Sequence, residues 1–189
     1  METLGNAYDL MARGRFTAAM GCLERLPVAR LKTLEAETLR VELLERSGRF
    51  DEAEELSRRL RKSRSISDTQ RSVCEFSTGM ILWEQGETGA AVEYFQRAVA
   101  SAEKGNDLWR TCWAQLRLFV SLSGKTSSLP GSRPFRELRQ NIIRLADPVV
   151  SAALHVFLGE LEAKRGLFAT SCRHTTLGQS LLKLSLIHI

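Results

Sequence analysis

The 189-residue chain has no run of about 18 apolar residues and no basic N-terminal segment leading into an apolar one, so no membrane span or secretory leader is read from it. The expected compartment is the cytoplasm. Cysteine is sparse: Cys22, Cys74, Cys112 and Cys172 make no Cys-x-x-Cys pair, in a chain too long to depend on disulfide staples. They read as reduced, buried, small apolar residues. Histidine is sparser still, with only His155, His174 and His188, and no Ser or Cys stands in a nucleophile-elbow pattern. No catalytic residue is identified, and the chain reads as a non-enzyme. Of the four prolines, Pro134 and Pro148 fall where a first helical turn tolerates them and Pro27 falls between helices.

What is present is globular: 43% hydrophobic and 26% charged residues exclude the profile of a disordered chain. The 27 basic and 22 acidic residues leave a net +5, which favours acidic partners only where cations cluster on one face.

Glycine marks a repeat. Arg13-Gly14-Arg15-Phe16, Ser47-Gly48-Arg49-Phe50, Gln85-Gly86-Glu87-Thr88 and Arg165-Gly166-Leu167-Phe168 each separate two apolar-periodic stretches, with Ser123-Gly124-Lys125-Thr126 as a fifth turn. Each glycine stands where a helix can stop on a left-handed residue before the chain reverses. The spacings are 34, 38, 38 and 42 residues. Five residues after the turn glycine come Ala19, Ala53 and Ala91; Gly79 and Gly159 lie seven before theirs, and Trp113 and Leu116 lie eleven and eight before Gly124.

In these residues the chain resembles the tetratricopeptide repeat family over roughly residues 1–183. The resemblance implies an all-α, right-handed α-solenoid of about five antiparallel hairpins, about ten helices and no sheet, with the first helix of each pair lining a concave groove. It departs from the family in its drifting spacing, in Ser171 at an alanine position, and in a fourth unit whose second helix is displaced behind residues 126–132. Apolar periodicity agrees: Ala53, Leu56 and Leu60 form one stripe, and Ala91, Phe95, Ala98 and Ala102 another.

Other constellations are weaker. Ser123-Gly124-Lys125-Thr126 ends like a phosphate-binding loop, but Phe119 occupies the place of the required first glycine and the preceding segment reads as helix. Cys172 and His174, with His155, suggest metal ligation, yet ligands one residue apart on a helix point to different faces; neither a metal nor a cofactor is expected. The basic run Arg58, Arg59, Arg61, Lys62 and Arg64 ends a helix that opens with Asp51, Glu52, Glu54 and Glu55. Acids at the positive end, bases at the negative end and Glu54–Arg58 and Glu55–Arg59 spacings explain most of that run.

Counting ten, six and three residues back from the turn glycines gives the groove positions. The partner-binding candidates among them are Tyr8, Met11, Glu42, Glu45, Phe76, Met80, Trp83 and Leu118. They suit a protein or peptide ligand with apolar anchors and a basic residue. The family's carboxylate-clamp adaptors use Lys and Asn at such positions, and none stands here. An RNA-binding helical-repeat protein is the alternative, disfavoured because an acidic, apolar groove repels phosphate. A role as the sensory or regulatory arm of a longer bacterial regulator is also expected. The tail 184–189, apolar and off the repeat pattern, reads as a truncation or read-through scar. A terminal hairpin without a polar cap leaves a face for a second copy.

Overall fold

A computed structural model describes residues 3–123 and 131–187, with side chains to residue 183. Gly124, Lys125 and Thr126 of the fifth turn lie outside the described residues. Among the described residues are eleven α-helices and no strand: α1 (Leu4–Ala12), α2 (Phe16–Glu24), α3 (Val28–Leu31), α4 (Leu34–Arg46), α5 (Phe50–Arg61), α6 (Asp68–Glu84), α7 (Thr88–Lys104), α8 (Leu108–Leu122), α9 (Arg133–Leu145), α10 (Pro148–Lys164) and α11 (Phe168–Ile187). The chain divides into two compact units, Met1–Thr111 and Cys112–Ile189.

Eleven helices replace the expected ten because of α3. Pro27 has its φ fixed at −55° and its carbonyl accepts from the Arg30 and Leu31 amides at 2.8 and 3.1 Å, which winds a single turn between the first two hairpins. The last helix also runs through residue 183 as far as Ile187, so residues 184–187 continue α11.

The turns repeat one geometry. Gly14, Gly48, Gly86 and Gly166 have φ of +69°, +72°, +83° and +76°. In each, the amide after the glycine donates five residues back, as in Arg15 to Leu10 and Arg49 to Leu44 at 2.9 Å, Glu87 to Leu82 at 2.8 Å and Leu167 to Glu162 at 3.0 Å. These bonds satisfy carbonyls that the helix end would otherwise leave open. The first helices start on capping side chains instead: Thr3, Thr33, Ser67, Asp107 and Asp147 accept from amides of the first turn of α1, α4, α6, α8 and α10, and Ser132 does the same for α9. Ser67 forms a reciprocal capping box with Gln70.

In the Met1–Thr111 unit, Ala7, Ala19, Leu23, Leu39, Leu43 and Ala53 are buried in one core with Ile81. Alanines at the fifth place after the turn glycine are fully buried, so the paired helices approach without a side chain between them. In α6–α7 that approach is sealed by Phe95: a Cβ on Gly79 would lie 2.8 Å from its ring. A polar seam flanks it, with Lys104 bonded to Asp68 at 3.0 Å, Ser72 donating to the Ala98 carbonyl at 2.8 Å and Ser101 donating to buried Glu75 at 2.6 Å.

In the Cys112–Ile189 unit, Phe135 of α9 is the aromatic centre. It meets Phe119 of α8 edge-on at 5.3 Å and Phe157 of α10 at 6.1 Å between ring centroids. The α10–α11 hairpin closes on glycine and polar groups, since a Cβ at Gly178 would sit 3.2 Å from the Ala152 carbonyl oxygen.

Candidate functional site

Periodicity decides which face of a first helix is spared from the core. Along α4, Ala36, Leu39 and Leu43 face inward, and Glu42 and Glu45 are left on a partly covered stripe. Tyr8 and Met11 of α1 are half-buried and pack against the same core. On α6, Phe76 is half-buried against Phe95, with ring centroids 5.7 Å apart, Met80 is 8% exposed and Trp83 is half-buried. The stripe of the Met1–Thr111 unit is therefore partly consumed by packing. Leu118, also half-buried, belongs to the other unit.

Glu42 has a cation already. Arg110 Nη1 donates to Glu42 Oε1 at 2.7 Å and Nη2 to Oε2 at 3.4 Å, while Arg110 Nε lies 3.4 Å from Asp107 Oδ2. The Arg110 and Glu42 side chains are 19% and 15% exposed, so the pair is shielded enough to matter. Burial disfavours the guanidinium charge, but the attraction and hydrogen bonding of Glu42, with Asp107 behind it, outweigh that and hold Arg110 above its ordinary range. Tyr8 joins the cluster electrostatically: burial first, then Glu42 and Glu35, push its phenol up.

Arg110 escaped the sequence reading. It stands fourteen residues before Gly124, one turn ahead of Ala114 and on the same helical face, so extending the groove stripe by a turn finds it.

The Cys112–Ile189 unit keeps its stripe open. Between α8, α10 and α11 lies a cavity of about 330 Å³ lined by Trp113, Leu116 and Val120 of α8, Val149, Ala152 and Val156 of α10, and Leu182 of α11. Val156 and Leu182 are each 41% exposed. Arg117 and Glu160 add one charge of each sign to an otherwise apolar lining. Val156 and Glu160 are the tenth and sixth residues before Gly166, so this is the same stripe in another hairpin.

The suspected ligand group partly assembles. His155 and His174 meet, with 2.9 Å between their Nδ1 atoms, but Cys172 is exposed. Among the described residues, no three His, Cys, Asp or Glu side chains form a group that could hold a metal ion. The basic run is engaged internally as well: Arg59 is bonded to Glu37 of α4, and the Arg61 guanidinium lies 5.0 Å from the Tyr94 ring centroid. No helix among the described residues is long and apolar enough to cross a membrane.

No family model matches the chain, and no curated protein matches it. Among solved structures it is similar to the crystal structure of MamA, a tetratricopeptide-type protein, with a TM-score of 0.52 and 14% identity over 95% of this chain and 96% of that one. The likeness concerns the fold, and with the four left-handed glycine turns it makes this a tetratricopeptide-like helical fold.

Proposed function

We propose that the chain is a non-catalytic protein-interaction module that holds a peptide or a helix on the spared faces of its first helices. The observation that carries this reading is the open apolar channel walled by Trp113, Leu116, Val149 and Val156. Val149 and Val156, seven residues apart on α10 and both exposed, are apolar side chains left in water, a surface that gains by being covered. Burying one Val or Leu contributes about 1.5–3 kcal/mol, so two anchors supply about 3–6 kcal/mol, short of the ~8 kcal/mol of micromolar binding, and further contacts must add the rest. In the other unit, Tyr8, Met11, Phe76 and Trp83 form the corresponding stripe, flanked by Glu45 and by a Glu42 that offers a basic ligand residue only what Arg110 leaves. The same surface would serve a regulatory partner if the module acts as the arm of a longer regulator.

The test is selection of ligands from a displayed random-peptide library, followed by affinity measurement. Val156→Asp should weaken the selected peptides at least tenfold with the melting temperature unchanged, since a carboxylate in the channel costs more than about 1.4 kcal/mol. Undiminished affinity would remove the channel from the reading. Submicromolar RNA binding with a steep salt dependence would favour the nucleic-acid alternative instead.

A further inference from the structure

The sequence His155-Val-Phe-Leu-Gly159 on α10 is matched by His174-Thr-Thr-Leu-Gly178 on α11, the same spacing on two antiparallel helices. Each histidine sits beside the other helix's glycine: a Cβ on Gly178 would lie 3.5 Å from His155 Cβ, and one on Gly159 would lie 3.6 Å from His174 Cβ. The helices are so close there that the two imidazoles must share an edge. Their Nδ1 atoms are 2.9 Å apart, with ring centroids at 5.2 Å and planes inclined by 30°.

We propose that His155 and His174 are a proton-operated latch, which holds α10 on α11 at neutral pH and releases it in mild acid. An Nδ1 to Nδ1 hydrogen bond exists only while one nitrogen carries a proton and the other does not. The neutral pair and the singly charged pair satisfy this. When both rings are protonated, two N–H donors and two positive charges face each other, and the contact must open.

Among the described residues, no carboxylate is among the groups acting on His155. From α9, Arg139 adds a further cation, and the groups acting on His155 are Arg139 and His174. On α10 the residues one turn to either side of His155 are Ser151 and Gly159, and on α11 those flanking His174 are Thr170 and Gly178. Arg173, next to His174 in sequence, is exposed. Burial, then His174 and Arg139, push the His155 imidazole below its ordinary range. A depressed histidine favours the neutral fold, so its stabilisation is present above pH of about 6.5 and is lost as pH falls through the folded value.

Val156 follows His155 directly and lines the channel together with Leu182, so release would also alter the binding surface; that consequence rests on the proposed function, whereas the latch does not. The test is an NMR titration of the full chain, with imidazole signals assigned from His155→Gln and His174→Gln, alongside amide hydrogen exchange at pH 7.5 and 5.5. The His155 ring should titrate below its ordinary range, and His174→Gln should bring it back up. After correction for intrinsic rates, protection of α10 and α11 should fall at least tenfold at pH 5.5 while α6 and α7 hold, and His155→Gln should abolish the difference. A single common step near 6.5, or an equal loss of protection in the Gln variants, would overturn the latch.

Discussion

The α6–α7 and α10–α11 hairpins share a turn and differ in what fills it. Both reverse on a left-handed glycine, and both place a second glycine seven residues earlier, Gly79 and Gly159. Nine residues after the turn stands Phe95 in one and Thr175 in the other. The phenyl ring is fully buried over Gly79, whereas the Thr175 hydroxyl donates to the Ser171 carbonyl at 3.1 Å on an exposed face. The turn thus sets the topology and the ninth residue sets how much core the hairpin owns. In α10–α11 the vacancy is made up by close backbone approach and the imidazole pair, and apolar residues such as Phe168, 68% exposed, stay in water.

The sharpest way to break this comparison is to remove the ninth residue from each hairpin. Phe95→Ala should lower the unfolding free energy by about 3–5 kcal/mol, and Thr175→Ala should change it by no more than about 0.5 kcal/mol, as read by denaturant unfolding. Equal losses would mean that the two hairpins are packed alike. Next come the glycines themselves. Gly79→Ala drives a methyl against a ring that has nowhere to go and should cost about 1–3 kcal/mol. Gly159→Ala meets Thr175 Oγ1 at 3.0 Å and the Ser171 carbonyl at 3.3 Å, and the helical gain of about 1 kcal/mol over glycine should nearly cancel that tightness.

The smallest effect is chemical. Burial pushes the Cys74 thiol of α6 up to about 12 and the Cys112 thiol of α8 up to about 11, whereas Cys172 of α11 is exposed. A raised thiol stays neutral, so the stabilisation is complete below the ordinary value near 9 and is lost as pH climbs through 11 to 12. Iodoacetamide at pH 8 should therefore label Cys172 first, with Cys74 and Cys112 reacting only on unfolding, as peptide mapping would show. Early labelling of Cys74 would contradict the sealed packing of α6 on Val41 of α4 and Leu60 of α5.

Much of the fold was legible because its signals are local. A turn glycine, a capping Thr or Ser and an alanine at a helix crossing each act within a few residues, and counting offsets from Gly14, Gly48, Gly86 and Gly166 locates them. The short helix α3 was less legible, since a lone proline between helices signals a break as readily as a single turn. The site was read less fully, because exposure depends on neighbours distant in sequence. Met80 stood on the right face and is buried, and Glu42 reads as a free acid until Arg110, 68 residues later, is brought to it. Val156 and Glu160 obey the same offset rule and are exposed on the channel they line. The histidine pair was visible only as two scattered candidate ligands; the matched His-x-x-x-Gly spacing was its available signal.

The central claim is that the channel between α8 and α10 receives the ligand. Amide hydrogen exchange of the full chain, with and without a peptide selected for binding, tests it most directly. The account predicts slowed exchange in α8 and α10 around Trp113–Val120 and Val149–Val156, with α5 and α7 unchanged. Protection confined to the outer helices α5 and α7, with none on α8 or α10, would contradict it.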